Sequence, residues 1–163
     1  HCPKSNLKLA SGIADTDTYL KAGITVGIGT DGTASNNTLD MVEEMRFAAL
    51  LPKAMHYDPE AVNAAQALRM ATINGARALG LEDVTGSLEV GKSADLITVN
   101  IAASNMIPVY NDYSAVVYAM NSKNVRSSMV NGDWIMRNRI VCHVDKENTL
   151  EAIKQLSGQI RKM

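Results

Sequence analysis

The apolar run Ile24-Thr25-Val26-Gly27-Ile28-Gly29 leads straight into the tetrapeptide Gly29-Thr30-Asp31-Gly32, and this junction constrains the fold more than any other part of the chain. A run of that length and composition reads as a buried strand. Glycines on both sides let backbone and ligand approach closely. A carboxylate at the C-terminal tip of such a strand is where parallel α/β architecture keeps its chemistry. Thr-Asp-Gly is also a good turn sequence. On these four residues alone the turn is the stronger reading, and the rest of the chain reverses that order.

With 163 residues there is enough chain for one domain with a real core. Hydrophobic residues make up 46% and charged residues 20%, which excludes a disordered polymer. Sixteen Lys and Arg against seventeen Asp and Glu leave a net charge of -1, with no basic block. That balance argues against nucleic acid or an anionic membrane as partner. Cys2 and Cys142 form no C-x-x-C pair, which sets aside a zinc knuckle and a disulfide scaffold. Reduced thiols and a cytoplasmic location are the expectation. No apolar stretch approaches the roughly 18 residues needed to cross a bilayer, and no signal peptide opens the chain. His1-Cys2-Pro3 begins without an initiator Met, as though inside an element. We expect a segment of something longer.

The first part of the chain reads as α/β. Residues 7–13 form a loop, and a short helix over 16–22 is closed by Gly23. The strand through Val26 and the Asp31 loop follow. Asn36-Asn37-Thr38 offers caps for a helix carrying Leu39, Val42, Met45 and Ala49 on one face, which Pro52 is expected to end. Asp58-Pro59-Glu60 predicts the next helix start, with Val62, Ala65, Leu68, Ala71 and Ile73 on its apolar side, an interruption near Gly75 and a stop at Gly80. From about residue 84 the texture turns to β: a tight turn at Val90-Gly91-Lys92, a strand over 94–99, and β-like runs at 115–118, 125–130 and 134–141. Asn131-Gly132 is the strongest hairpin signal. The tail from Lys146 to Met163 regains helical periodicity through Leu150, Ile153, Leu156 and Ile160.

Two motifs, His1-Cys2-Pro3-Lys4-Ser5-Asn6-Leu7-Lys8-Leu9 and Gly29-Thr30-Asp31-Gly32-Thr33-Ala34-Ser35-Asn36-Asn37, together resemble the metal-dependent amidohydrolase superfamily. The similar branch contains the methylthioadenosine/S-adenosylhomocysteine deaminases and the triazine chlorohydrolases. Residues 70–80 and 86–96 resemble the same branch, so the likeness runs in order along nearly the whole chain.

The resemblance implies a fold class and a geography. Residues 1–83 would hold the last strands and helices of a (β/α)8 TIM-like barrel, with His1 closing the seventh strand and Asp31 ending the eighth. Residues 84–144 would form part of a small composite β-sandwich, and 145–163 a C-terminal helix. Asp31 matches the family's aspartate metal ligand, which also handles protons. His1 and Asn6 are candidates for substrate contact, although a loop-ordering role is the stronger reading for both. The implied cofactor is one divalent ion, zinc in this branch. The implied substrate is a purine nucleoside of the 5′-methylthioadenosine or S-adenosylhomocysteine type, deaminated at a cyclic amidine carbon. The family's other ligands belong upstream, so the segment alone is expected to be inactive and to require its missing N-terminal portion. A homo-oligomer is compatible with this picture.

Alternatives stay open at this level. A triazine or ammeline chlorohydrolase, or a guanine- or cytosine-type deaminase, would share these motifs. A non-catalytic chain docking to a partner is the reading of another class. His56 and His143 read as surface residues, Cys2 as a small buried one, and the nine methionines as core packing. The glycines of 27–32 lack the spacing and the Lys of a phosphate loop. The enzyme reading requires the Asp31 carboxyl to face a shared concave site.

Overall fold

The computed structural model describes residues 1–160. Helix α1 (Pro3–Lys8) has Pro3 in its first turn, where the missing N–H would have had no helical partner; the sequence reading shows no helix here. Helix α2 (Thr16–Lys21) is capped by Asp15, whose carboxylate accepts the Thr18 N–H, and the chain leaves it through Gly23 at φ 79. The last three residues of the C-terminal helix expected from the sequence, 161–163, lie outside the described residues.

The expected buried strand over 24–29 is instead an extended, half-exposed segment with no regular strand, and Ile24 is 53% exposed. It does carry one piece of ladder. The His1 amino nitrogen donates to Gly27 O at 2.8 Å, and Gly29 N–H donates to His1 O at 2.9 Å. One residue donating to j−1 and accepting from j+1 is the bond pattern of a parallel pair. From the other side Ile28 N–H donates to Met70 O at 3.0 Å. A parallel strand becomes buried only when neighbours cover its edges and faces, and those present give this segment one residue of pairing.

Helix α4 (Met41–His56), preceded by the single turn α3 (Thr33–Asn36), organises the core. Its cap is Asp40, which accepts the Val42 and Glu43 N–H groups, so the expected cap at 36–38 falls a few residues early. Pro52 does not end it: the ring is buried and the helix runs on to a left-handed Tyr57. Tertiary packing outweighs the lost intrahelical bond. Val42, Met45, Ala48 and Ala49 meet Val62, Ala67, Met70, Met106, Val117 and Met120 in one cluster.

Helix α5 (Ala64–Met70) starts at Asn63, which forms a reciprocal capping box with Gln66. Residues 58–62 are a turn, correcting the helix start expected at Asp58. The break before α6 (Ile73–Ala78) falls at Thr72 rather than Gly75. Gly80, at φ 68, follows the end of α6.

Beyond residue 84 the expected β unit is present. Strand β1 (Leu96–Val99), β2 (Val125–Val130), β3 (Asp133–Arg137) and β4 (Ile140–Val141) form one antiparallel sheet in sequence order. Asn131 and Gly132 both have positive φ, 49 and 86, at the β2–β3 hairpin, as a primed turn demands. Asn138 and Arg139, also left-handed, split the expected 134–141 run into β3 and β4. Residues 115–118 are not a strand. A short helix α7 (Asp112–Ser114) passes into a π turn over Ala115–Ala119, with Val117 fully buried against α4 and α5. Here burial of the β-branched residues overrides their strand preference. The C-terminal helix α8 (Lys146–Ile160) has no buried residue. No helix among the described residues is long and apolar enough to cross a membrane.

Candidate functional site

Asp31 sits on the exposed loop between the extended segment and α3, in the left-handed region at φ 60. For a non-glycine residue that backbone is uncommon and costs about 1 kcal/mol or more. Two hydroxyls converge on one of its oxygens. Oγ of the buried Ser5, on α1, donates to Asp31 Oδ2 at 2.6 Å, and Ser35 Oγ, on α3, reaches the same oxygen at 2.6 Å. Ser35 Oγ also lies 3.0 Å from Gly32 O, but it has one proton, and the charged oxygen is the better acceptor. The Ser35 hydroxyl, then the Ser5 hydroxyl, then the Gly32 N–H hold the Asp31 pKa down at about 2. The carboxylate is therefore ionised near neutral pH, and its Oδ1 accepts no side-chain hydrogen bond among the described residues.

The other expected site residues lie nearby in different ways. His1 comes close through its backbone, by the pairing with Gly27 and Gly29. Asn6 donates its N–H to Cys2 O and accepts from Ser11 N–H, which orders the α1 loop. The side chains of both are half-buried and without a protein hydrogen bond among the described residues. Ser5, within the motif of residues 1–9, turns its hydroxyl to the Asp31 carboxylate. His143 is exposed as expected, and His56, also exposed, pairs with Asp15 at 2.7 Å. Cys2 is half-buried rather than buried.

Sequence reasoning did not single out Glu44 and took Asn36 only for a cap; both are fully buried beneath this loop. The signal for Glu44 was helical spacing. It stands four residues before Ala48, on the face α4 buries.

A zinc ion takes three or four protein ligands. Among the described residues no three His, Cys, Asp or Glu side chains gather as a metal would need. Asp31 fits one ligand position, an ionised carboxylate whose Oδ1 accepts no side-chain hydrogen bond, and the described residues supply no complete set. Asp31 does not line either of the two cavities found at the small sheet. A cavity of about 490 Å³ lies at the small sheet between Thr98, Asn100, Arg126, Trp134 and Arg137.

The Asp31 carboxylate thus follows one residue of parallel pairing in a mixed helix-and-strand chain with a small antiparallel sheet, consistent with part of a larger α/β hydrolytic fold, and residues 1–135 match the model of the amidohydrolase family. The chain belongs to that family. It is 44% identical over 160 residues to a 5-methylthioadenosine/S-adenosylhomocysteine deaminase of Acetivibrio thermocellus, covering 98% of this chain and 37% of that one. With the same-named protein of Moorella thermoacetica the identity is 52% over 147 residues, 90% of this chain and 34% of the relative. Among solved structures it is similar to an adenosine deaminase from Xanthomonas campestris with bound zinc, at a TM-score of 0.96 and 42% identity, over 100% of this chain and 37% of that one. An atrazine chlorohydrolase from Arthrobacter aurescens, complexed with zinc, matches with a TM-score of 0.87 and 32% identity over 96% of this chain and 35% of that one. The chain thus spans little more than a third of the length of the relatives it matches.

Proposed function

We propose that this chain is the C-terminal part of a metal-dependent aminohydrolase that deaminates 5′-methylthioadenosine or S-adenosylhomocysteine. The observation that carries this reading is the Asp31 carboxylate, ionised and held at Oδ2 by Ser5 and Ser35, with Oδ1 free of side-chain hydrogen bonds among the described residues. The adenosine deaminase structure is also nearer than the chlorohydrolase, in identity and in TM-score. In this reading the parallel pairing of His1 with residues 27–29 is the join between the seventh and eighth strands of a (β/α)8 barrel. Residues 1–83 then belong to that barrel, 84–144 to a composite β-sandwich, and 145–163 to a C-terminal helix.

The reaction is hydrolytic: water adds at the amidine carbon bearing the amino group, ammonia leaves, and oxygen takes its place. Asp31 is the residue of this chain that would hold a divalent ion, zinc by likeness to the neighbours, with its remaining ligands upstream. When bound, that ion supplies the Lewis acidity that makes water a nucleophile at neutral pH. The chain's own part is to keep Asp31 charged and aimed. A pKa of about 2 suits a ligand better than a base, so we place the ligand role first and proton acceptance second. The side chains of His1 and Asn6, without protein partners on the same rim, are the proposed substrate contacts.

The test is expression of the complete open reading frame containing these residues, beside its Asp31→Asn variant, with release of ammonia from methylthioadenosine as readout. Activity in the parent with loss of at least about a hundredfold in the variant supports the reading. Undiminished turnover in Asp31→Asn sinks it, and dechlorination of a triazine without deamination transfers it to the chlorohydrolase class.

A further inference from the structure

We propose that Glu44 is a positioning residue for Asp31, acting through a closed ring of hydrogen bonds buried beneath the site. The inference rests on the reading of Asp31 given above and concerns how its carboxylate is held.

Glu44 lies in the first turns of α4 and is fully buried. A buried carboxyl is retained only where its oxygens are well partnered, and both are. Oε2 accepts the Lys4 N–H at 3.0 Å, and Oε1 accepts from Asn36 Nδ2. The Asn36 amide nitrogen has two hydrogens. The second goes to Thr30 O at 2.6 Å. Asn36 Oδ1 in turn faces the Thr38 N–H at 3.4 Å and the Thr38 hydroxyl at 3.2 Å, so the whole amide is engaged.

These bonds close on Asp31. From Glu44 the path runs to Lys4, across one peptide to Ser5, and by its hydroxyl to the Asp31 carboxylate. It returns across one peptide to Thr30 O, through Asn36, and back to Glu44. Both residues next to the site in sequence, Lys4 beside Ser5 and Thr30 beside Asp31, are thus tied to one carboxyl group. The ring ties α1 to a stretch of chain 26 to 40 residues further on, which carries the Asp31 loop, α3 and the start of α4. It also holds a residue whose left-handed backbone, φ 60, is not one it would choose. A plain stabilising role for α4 would need none of this closure. The neighbouring Glu43 plays that part from a half-buried position, where it pairs with the Lys4 ammonium.

The experiment uses the full-length protein with the variants Glu44→Gln, Glu43→Gln, Asn36→Ser and Asp31→Asn. Gln has one acceptor oxygen, so in Glu44→Gln either Lys4 N–H or Asn36 meets a donor. The expected result is a fall in kcat of about tenfold or more with KM within about twofold, as for a small misplacement of a reacting group. Amide exchange over residues 30–37 should quicken in parallel. Glu43→Gln should stay within about twofold of the parent in kcat, since an amide oxygen at that position still accepts from the Lys4 ammonium and the Thr38 hydroxyl and the ring's own bonds are untouched. Asn36→Ser, which opens the ring at its other side, should reproduce the kcat loss and answers the question if Glu44→Gln does not fold. A folded Glu44→Gln or Asn36→Ser that loses thermal stability but keeps the parent's kcat overturns the proposal. Full activity in Asp31→Asn instead overturns the reading of the site itself, so the two failures are distinguishable.

Discussion

Ser5 and Ser35 deliver their hydroxyls to the same oxygen, Oδ2 of Asp31, each at 2.6 Å, although one serine lies 26 residues upstream and the other four residues downstream. The two bonds differ in what holds them. Ser5 is itself buried, on a helix separate from the loop, whereas Ser35 lies on the turn that continues it. The long-range bond fixes the carboxylate to the body of the protein; the local one shapes the turn.

Removing either hydroxyl should raise the Asp31 pKa from about 2 toward the ordinary carboxylate range, and Ser35→Ala should raise it more than Ser5→Ala, because Ser35 is the larger cause. Carboxyl-carbon NMR titration of the metal-free protein measures both. An Asp31 that titrates at about 2 in both variants would show that the hydroxyls do not set its charge.

Asp15 offers a pH prediction away from the site. Its pKa is held at about 2, first by the hydrogen bond with His56 and then by the Thr18 hydroxyl and N–H. The native value lies below the unfolded value of about 3.9. Its stabilising contribution is therefore complete above that value and is lost as pH falls toward about 2. His56→Ala should be less stable than the parent at pH 5, and the difference between the two should shrink as pH falls from about 4 to about 2. Denaturant titrations at fixed pH values read it. A difference that stays constant through that window would remove His56 as the cause.

Much of the second half was legible because its signals are local. Asn131-Gly132 fixes a hairpin by backbone chemistry alone, and β2 came out at its expected bounds. The first half was harder for a physical reason. Whether 24–29 is a buried strand depends on neighbours that local sequence does not describe, and the expected strand at 115–118 became a π turn because Val117 fills a core position beside α4. At the site, Asp31 stood out from its glycines and motif. Glu44 did not, since a buried glutamate looks in sequence like any charged residue near a helix start, and only the folded loop shows what it ties together.

The start of α5 separates two sequence signals. Asp58-Pro59-Glu60 looks like a helix entry, yet Asp58 caps only a turn, accepting the Glu60 N–H at 2.8 Å. Asn63 accepts the Gln66 N–H at 3.0 Å and receives the Gln66 side chain on its own N–H at 2.8 Å. Asn63→Ala should destabilise the protein by about 1 kcal/mol, within the usual ~0.5–2 range for a lost cap. Asp58→Ala should cost clearly less. Denaturation midpoints with unchanged slopes would measure the pair, and the reverse order would move the helix start back to residue 58.

Gly86 and Gly91 have nearly the same backbone, φ 89 and φ 96, but different surroundings, which makes them a controlled comparison. A Cβ on Gly91 would meet nothing within 4 Å. Alanine there faces only the left-handed conformation, a loss of about 1 kcal/mol. A Cβ on Gly86 would lie 2.7 Å from Ala76 Cβ and 3.0 Å from Ile73 Cα, both on α6. Ala76 is buried and the second contact is backbone, so neither can turn aside as a flexible side chain would. Overpacking of that kind adds about 1–3 kcal/mol to the conformational term. Gly86→Ala should thus lower the thermal midpoint by clearly more than Gly91→Ala. Because Gly86 seats the lead-in to the small sheet against the last helix before it, the same substitution should loosen that join, read as faster amide exchange in α6. Equal midpoints for the two variants would mean that the 86 turn moves freely away from α6, and that the close approach is not what joins the helical part to the sheet.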